Sequence, residues 1–233
     1  MKNLILPAFV FIFIFSTIVF AQTTTDNSDF QFWNETSVSI PLKKSTDRKG
    51  KESERMTVSI NGTLRFGRNV SRPVDERIGI GFSYRLNKYI SFAPDALYRG
   101  SQPIKNRRDY ESRFRFAVIL ENKWKYFSLN DRNQIEYRLR NSRQDSVRYK
   151  NRLRLNVPVI KNKKEIFAPF VSDEPYYDFQ AHKFTRNELF AGIGKKINKN
   201  FSADIFYLFV KDVSLPKTIN GIGLNLRFKV DRK

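Results

Sequence analysis

The chain has 233 residues, with 43 Lys and Arg against 23 Asp and Glu, a formal charge of +20, no cysteine and a single histidine. Zero cysteines exclude disulfides, and with His182 as the sole histidine they also exclude the usual zinc sites. Such an excess of cations favours anionic partners, whether phosphates, acidic headgroups or anionic solutes.

The N-terminus carries Lys2, an uncharged run over 4–20 broken by Pro7, and Ala21 before Gln22. A positive start, an apolar stretch and a small residue at the cut point predict a secretory signal over 1–21. Export makes nucleic acid the least fitting anionic partner, and the mature chain keeps about +19 of its charge. Beyond residue 22 the longest apolar stretch is 205–210, too short for a membrane helix, so any span there is made of strands.

The rest of the chain repeats one two-residue beat. Phe30, Phe32, Thr36, Val38 and Ile40 alternate with Gln31, Glu35, Ser37 and Ser39. Met56, Val58, Ile60, Leu64 and Phe66 follow, then Ile78, Ile80, Phe82 and Tyr84, then Ile90, Phe92, Ala96 and Tyr98. Phe114, Phe116, Val118 and Leu120 stand against Arg113 and Arg115, and Ile135, Tyr137 and Leu139 against Glu136, Arg138 and Arg140. Val147, Tyr149, Leu153 and Leu155 alternate with Arg148, Lys150, Arg152 and Arg154. The segments 166–177 and 184–195 are less regular and do not reveal which face is which. Ile205, Tyr207 and Phe209, then Ile222, Leu224, Leu226 and Phe228, recover the pattern. A period of two marks strands with one apolar and one polar face.

Turns sort into short ones at 87–88, 122–123, 161–164 and 198–200, and longer loops at 100–108, 141–146, 172–183 and 212–217. That alternation predicts an outer-membrane barrel with the short turns and the C-terminus in the periplasm. Eleven runs conflict with the even strand number of bacterial barrels. Splitting 56–66 at Asn61-Gly62, a preferred hairpin turn, gives twelve; leaving the first run outside the wall gives ten.

The apolar face holds too many aromatics for the inside of a small soluble barrel. Apolar side chains are therefore expected to face lipid, with polar ones lining the lumen. Tyr84, Tyr89, Tyr98, Tyr110, Trp124, Tyr126 and Tyr149 are expected to form interfacial girdles. Residues 22–233 read as one all-β domain, a transmembrane antiparallel up-and-down barrel of 10–12 strands in a Gram-negative outer membrane.

Lumen-lining candidates are Arg113, Arg115, Glu136, Arg138, Arg140, Arg148, Arg152 and Arg154, with Glu136 roughly across from Arg152. They suit either a salt-bridged polar lumen or a small anion cavity; a wide pore is not expected at this strand number. Lys105, Arg107 and Arg108 are placed to meet lipopolysaccharide phosphates. A hydrolase would have to use His182, with Asp173, Glu174 and Asp178 nearby in sequence, but the His-x-Ser spacing of outer-membrane phospholipases and lipid A deacylases is missing. No phosphate-binding glycine loop, metal cluster or cofactor motif is present, so neither cofactor nor catalysis is expected. A third reading is an accessory subunit of an envelope complex.

Trp33, Tyr84-Arg85-Leu86-Asn87, Tyr137-Arg138-Leu139-Arg140, the run from Tyr149 to Arg154, Pro169, Glu174-Pro175-Tyr176-Tyr177-Asp178-Phe179, Arg186-Asn187-Glu188 and Gly192 together carry a resemblance. On these residues the chain resembles the Bacteroidetes-type outer-membrane β-barrel family known as domain of unknown function 2490. The resemblance implies an outer-membrane barrel and supplies no catalytic residues.

Overall fold

The computed structural model describes residues 28–46, 52–104, 107–162, 164–213 and 217–230. The expected signal over 1–21 and the Lys105 candidate lie outside them. The strands are β1 (Ser28–Thr46), β2 (Glu52–Gly67), β3 (Arg72–Arg85), β4 (Ile90–Ile104), β5 (Arg107–Lys123) and β6 (Ser128–Arg140). They continue as β7 (Ser146–Asn156), β8 (Val159–Lys161), β9 (Lys164–Asp178), β10 (Lys183–Lys196), β11 (Phe201–Asp212) and β12 (Lys217–Lys229).

Eleven of these close into a ring, in which each strand pairs with the next and β12 returns to β1. The three-residue β8 pairs only with the start of β9 and adds nothing to the wall. Every neighbouring pair is antiparallel except the closing one, where β1 and β12 run parallel from Ser28↔Thr218 to Ser39↔Lys229. The expected up-and-down barrel is thus present, with a mixed closure.

Strand number needs no split at Asn61-Gly62. Both residues sit in mid-β2, opposite Ser37 and Thr36 on one side and Gly79 and Ile78 on the other. Asn-Gly makes a hairpin only where the strands on either side can pair with each other; here both halves already have partners in β1 and β3. The odd number puts the chain ends on opposite rims. β1 begins on one, here the N-rim, and β12 ends on the other, the C-rim.

The predicted contrast in loop length is also corrected. Much of two of the expected long loops is strand: 172–178 belongs to β9, 100–104 to β4 and 107–108 to β5. No N-rim connection between wall strands exceeds five residues, and the longest in the ring, 157–163, is on the C-rim. Side-chain caps tighten the turns. Asn87 Oδ1 accepts from the backbone N–H of Tyr89 at 2.8 Å and of Ile90 at 3.0 Å, and Asp178 Oδ1 accepts from those of Gln180 and Ala181.

The faces are as the alternation predicts. Ile78, Phe116 and Ile135 are 63%, 49% and 53% exposed, whereas Glu136 is 0% and Arg113 3% exposed. Tyr98 stacks on Tyr110 toward the N-rim, and Trp124 on Phe127 at the C-rim. Tyr149, fourth in β7 and paired with Tyr177 near the end of β9, donates its hydroxyl to Asn133 Oδ1 at 2.5 Å. That bond belongs to a polar patch on the outer wall. Asn133 and Asn151 donate to Asp131 at 2.9 and 2.5 Å, so these side chains largely satisfy one another amid apolar neighbours.

Candidate functional site: a charged, stoppered lumen

The inner face of β3–β7 carries guanidinium groups and carboxylates in alternation. Asp75 accepts from Arg77 at 2.7 Å and Arg99 at 2.6 Å; Arg99 also reaches Glu111 at 3.1 Å. Glu111 binds Arg113 at 2.6 Å and Arg138 at 2.8 Å. Glu136 is met by Arg148 at 2.6 Å, and by Arg113 and Lys150 at 3.4 Å. One network therefore laces five strands, each carboxylate shared by two or more cations. Such sharing meets the desolvation cost that a lone buried charge could not.

Nearer the C-rim the pattern repeats. Glu174 takes Arg132 and Arg152, each at 2.8 Å; Asp204 takes Arg154 at 3.0 Å and Arg227 at 2.5 Å; Asp95 pairs with Arg115. All eight lumen candidates are thus on strands that line the interior, and six of them, Arg113, Arg138, Arg148, Arg152, Arg154 and Arg115, are in ion pairs with buried or half-buried carboxylates. Glu136 sits opposite Arg148, not Arg152, because the β6–β7 hairpin pairs four residues tighter than expected. Arg140 lies at the N-rim mouth, where it donates to the Gln144 carbonyl.

Between these charged layers sits an apolar stopper that the periodicity did not announce. Trp33, Phe170, Phe190, Phe206, Leu208, Val210 and Ile219 form one buried cluster inside the ring. Phe190 and Phe206 meet edge-to-face at 5.4 Å, and Trp33 meets Phe190 at 6.3 Å. Room for the Phe206 ring comes from Gly223, where a Cβ would overlap it, while a Cβ at Gly192 would collide with the Ile205 carbonyl oxygen and the Phe206 Cβ on the facing strand. A polar ladder fixes Trp33. Its Nε1 donates to Gln31 Oε1 at 2.7 Å, Gln31 Nε2 donates to Asp29 at 2.6 Å, and Asp29 accepts from the Asn69 backbone N–H at 3.0 Å.

Above the stopper a vestibule of about 500 Å³ opens toward the N-rim, lined by eleven Lys and Arg side chains and six carboxylates. At the stopper the space shrinks to about 40 Å³ between Trp33, Arg65, Arg152, Phe190 and Phe206. That is room for a few waters at most.

Sequence reasoning missed much of this site. Arg65 and Arg77 passed as ordinary polar positions, Arg99 was not singled out, and Tyr176, Arg186 and Glu188 fell in the segments with no legible face. A register shift between Phe184 and Arg186 breaks the beat there. The stopper did leave a signal: 205–210 is apolar at every position because β11 is apolar on both faces.

The remaining candidates stay outside the lumen network. Arg107 pairs with Asp109 at 2.9 Å, and Arg108 is exposed next to it. His182 is exposed in the 179–182 turn with φ of 51°. Its expected acidic neighbours are engaged elsewhere or point away: Asp178 caps the turn, Glu174 binds Arg132 and Arg152, and Asp173 is on the outer wall. Among the described residues no acid–histidine pair forms.

A closed barrel, apolar outside and charged within, defines the class of this protein. The family model described as Protein of unknown function (DUF2490) matches residues 30–212, and the chain belongs to that family. Among solved structures, LpxR from Salmonella typhimurium is similar at a TM-score of 0.47 and 9% identity, over 76% of this chain and 83% of that one. No curated protein matches.

Proposed function

We propose that the chain is an outer-membrane protein of a Gram-negative bacterium whose blind lumen binds an anionic solute and does no chemistry on it. The observation that carries this reading is the vestibule: cations outnumber carboxylates eleven to six, and the space narrows from about 500 to about 40 Å³ at the aromatic stopper. A cleft whose lining carries a net excess of positive charge concentrates anions. A volume of that size accommodates a small organic anion. The apolar outer wall and its girdle tyrosines support insertion by strands. In this reading the N-rim faces outward, with Arg108 beside lipopolysaccharide phosphates.

Planar-bilayer recording tests it. The wild-type barrel is expected to show no steady conductance, whereas Phe206→Ala, which removes the ring seated against Gly223, opens an anion-preferring one. Steady wild-type conductance would replace the blind vestibule with a pore.

A further inference from the structure

We propose that the vestibule floor is a binding site for a phosphate monoester, held by the guanidinium groups of Arg65, Arg77 and Arg186. The inference rests on the reading of the lumen as an anion vestibule and names the ligand class.

Arg65 is the residue that points to it. Its register partner on β3 is Asp75, but that carboxylate is turned to Arg77 and Arg99. Arg65 has no ion-pair partner among the described residues and lies with its Cζ 3.4 Å over the Trp33 ring. Its Nε is buried without a hydrogen-bond acceptor. A half-buried guanidinium with no carboxylate in ion-pair range is well placed to take up an anion.

Two more guanidinium groups converge on the same place. Arg186, from β10 across the lumen, has its Cζ 5.9 Å from the Trp33 ring. It gives Nε to Glu188 at 2.7 Å and Nη1 to Asp212 at 2.8 Å. Arg77 gives Nε and Nη2 to Asp75 at 2.7 and 2.9 Å. Each guanidinium has five N–H donors, so Arg77 and Arg186 each keep donors to spare and Arg65 keeps all of its own. The Tyr176 hydroxyl adds a donor to the same floor. Three forks from three strands suit a tetrahedral dianion with several oxygens better than a carboxylate, which one fork satisfies. The space above the floor leaves room for the organic part of the ester.

The test uses the full chain folded in maltoside micelles, with Trp124→Phe so that Trp33 is the sole tryptophan. One arm titrates glycerol 3-phosphate, with inorganic phosphate and acetate beside it; the other dopes the micelles with phosphatidic acid. Glycerol 3-phosphate is expected to bind below millimolar, at least tenfold more tightly than acetate, and to change Trp33 emission as Arg65 is drawn from the ring. Arg65→Gln is expected to weaken binding at least tenfold and Arg65→Lys to recover part of it, while Arg85→Gln at the C-rim leaves it unchanged. Saturation only in the phosphatidic acid arm, with the same dependence on Arg65, supports the site and makes a lipid headgroup its source. If Arg65→Gln fails to fold, Trp33 emission of the parent chain alone decides. Equal binding of acetate and phosphate, or phosphate binding that leaves Trp33 unchanged, overturns the phosphate site while leaving the anion vestibule standing. Steady wild-type conductance instead removes the vestibule reading itself.

Discussion

Glu136 shows most clearly how a single side chain holds the lumen together. It is fully buried and faces Arg148, Arg113, Lys150 and Arg138, so its removal leaves four cations with less compensation in the interior. Breaking a buried pair in this way typically costs about 3–5 kcal/mol. Glu136→Leu is therefore expected to lower the temperature at which the folded barrel loses its compact gel mobility by many degrees. Glu121→Leu, near the C-rim in a solvent-screened pair with Lys123, changes it little. Equal mobility loss in the two variants would mean that the network adds no stability. Glu136 and its arginines were legible as lumen residues because their alternation is unbroken. Arg65 was not, since nothing local distinguishes an arginine with a carboxylate partner from one without.

At the scale of strands, the two-residue beat disclosed which face each strand turns inward wherever that face is polar. It failed on β9 and β10, where Phe170, Tyr176 and Phe190 put aromatics inside and the bulge at Phe184/Arg186 shifts the phase. It also misjudged loops, because polar residues such as Ser172 and Glu174 were taken for connections when they are lumen-facing strand positions. Strand pairing was out of reach, since a parallel closing pair leaves no local mark in β1 or β12. That pairing has a direct consequence. The cysteine-free chain allows single-cysteine labelling, and Ser28→Cys and Val230→Cys are expected to react with an impermeant maleimide from opposite sides of a sealed membrane. Labelling of both from one side would require an even-stranded wall.

For the whole molecule, composition already implied the inversion: 22 phenylalanines and 10 tyrosines alongside a charge of +20 cannot share one small core. The ring resolves this by putting the aromatics and aliphatics mostly outside and the guanidinium groups inside, with a stopper between the charged layers. Everything proposed about the vestibule depends on that arrangement in a membrane. Tryptophan quenching by lipids brominated at mid-chain tests it directly, since the chain has only Trp33 and Trp124. In the Trp124→Phe background, Trp33 is buried inside the ring and is expected to escape quenching; a Phe116→Trp probe added on the outer wall, in a Trp33→Phe, Trp124→Phe chain, is expected to be strongly quenched. An unquenched probe at 116, or a strongly quenched Trp33, would contradict the account.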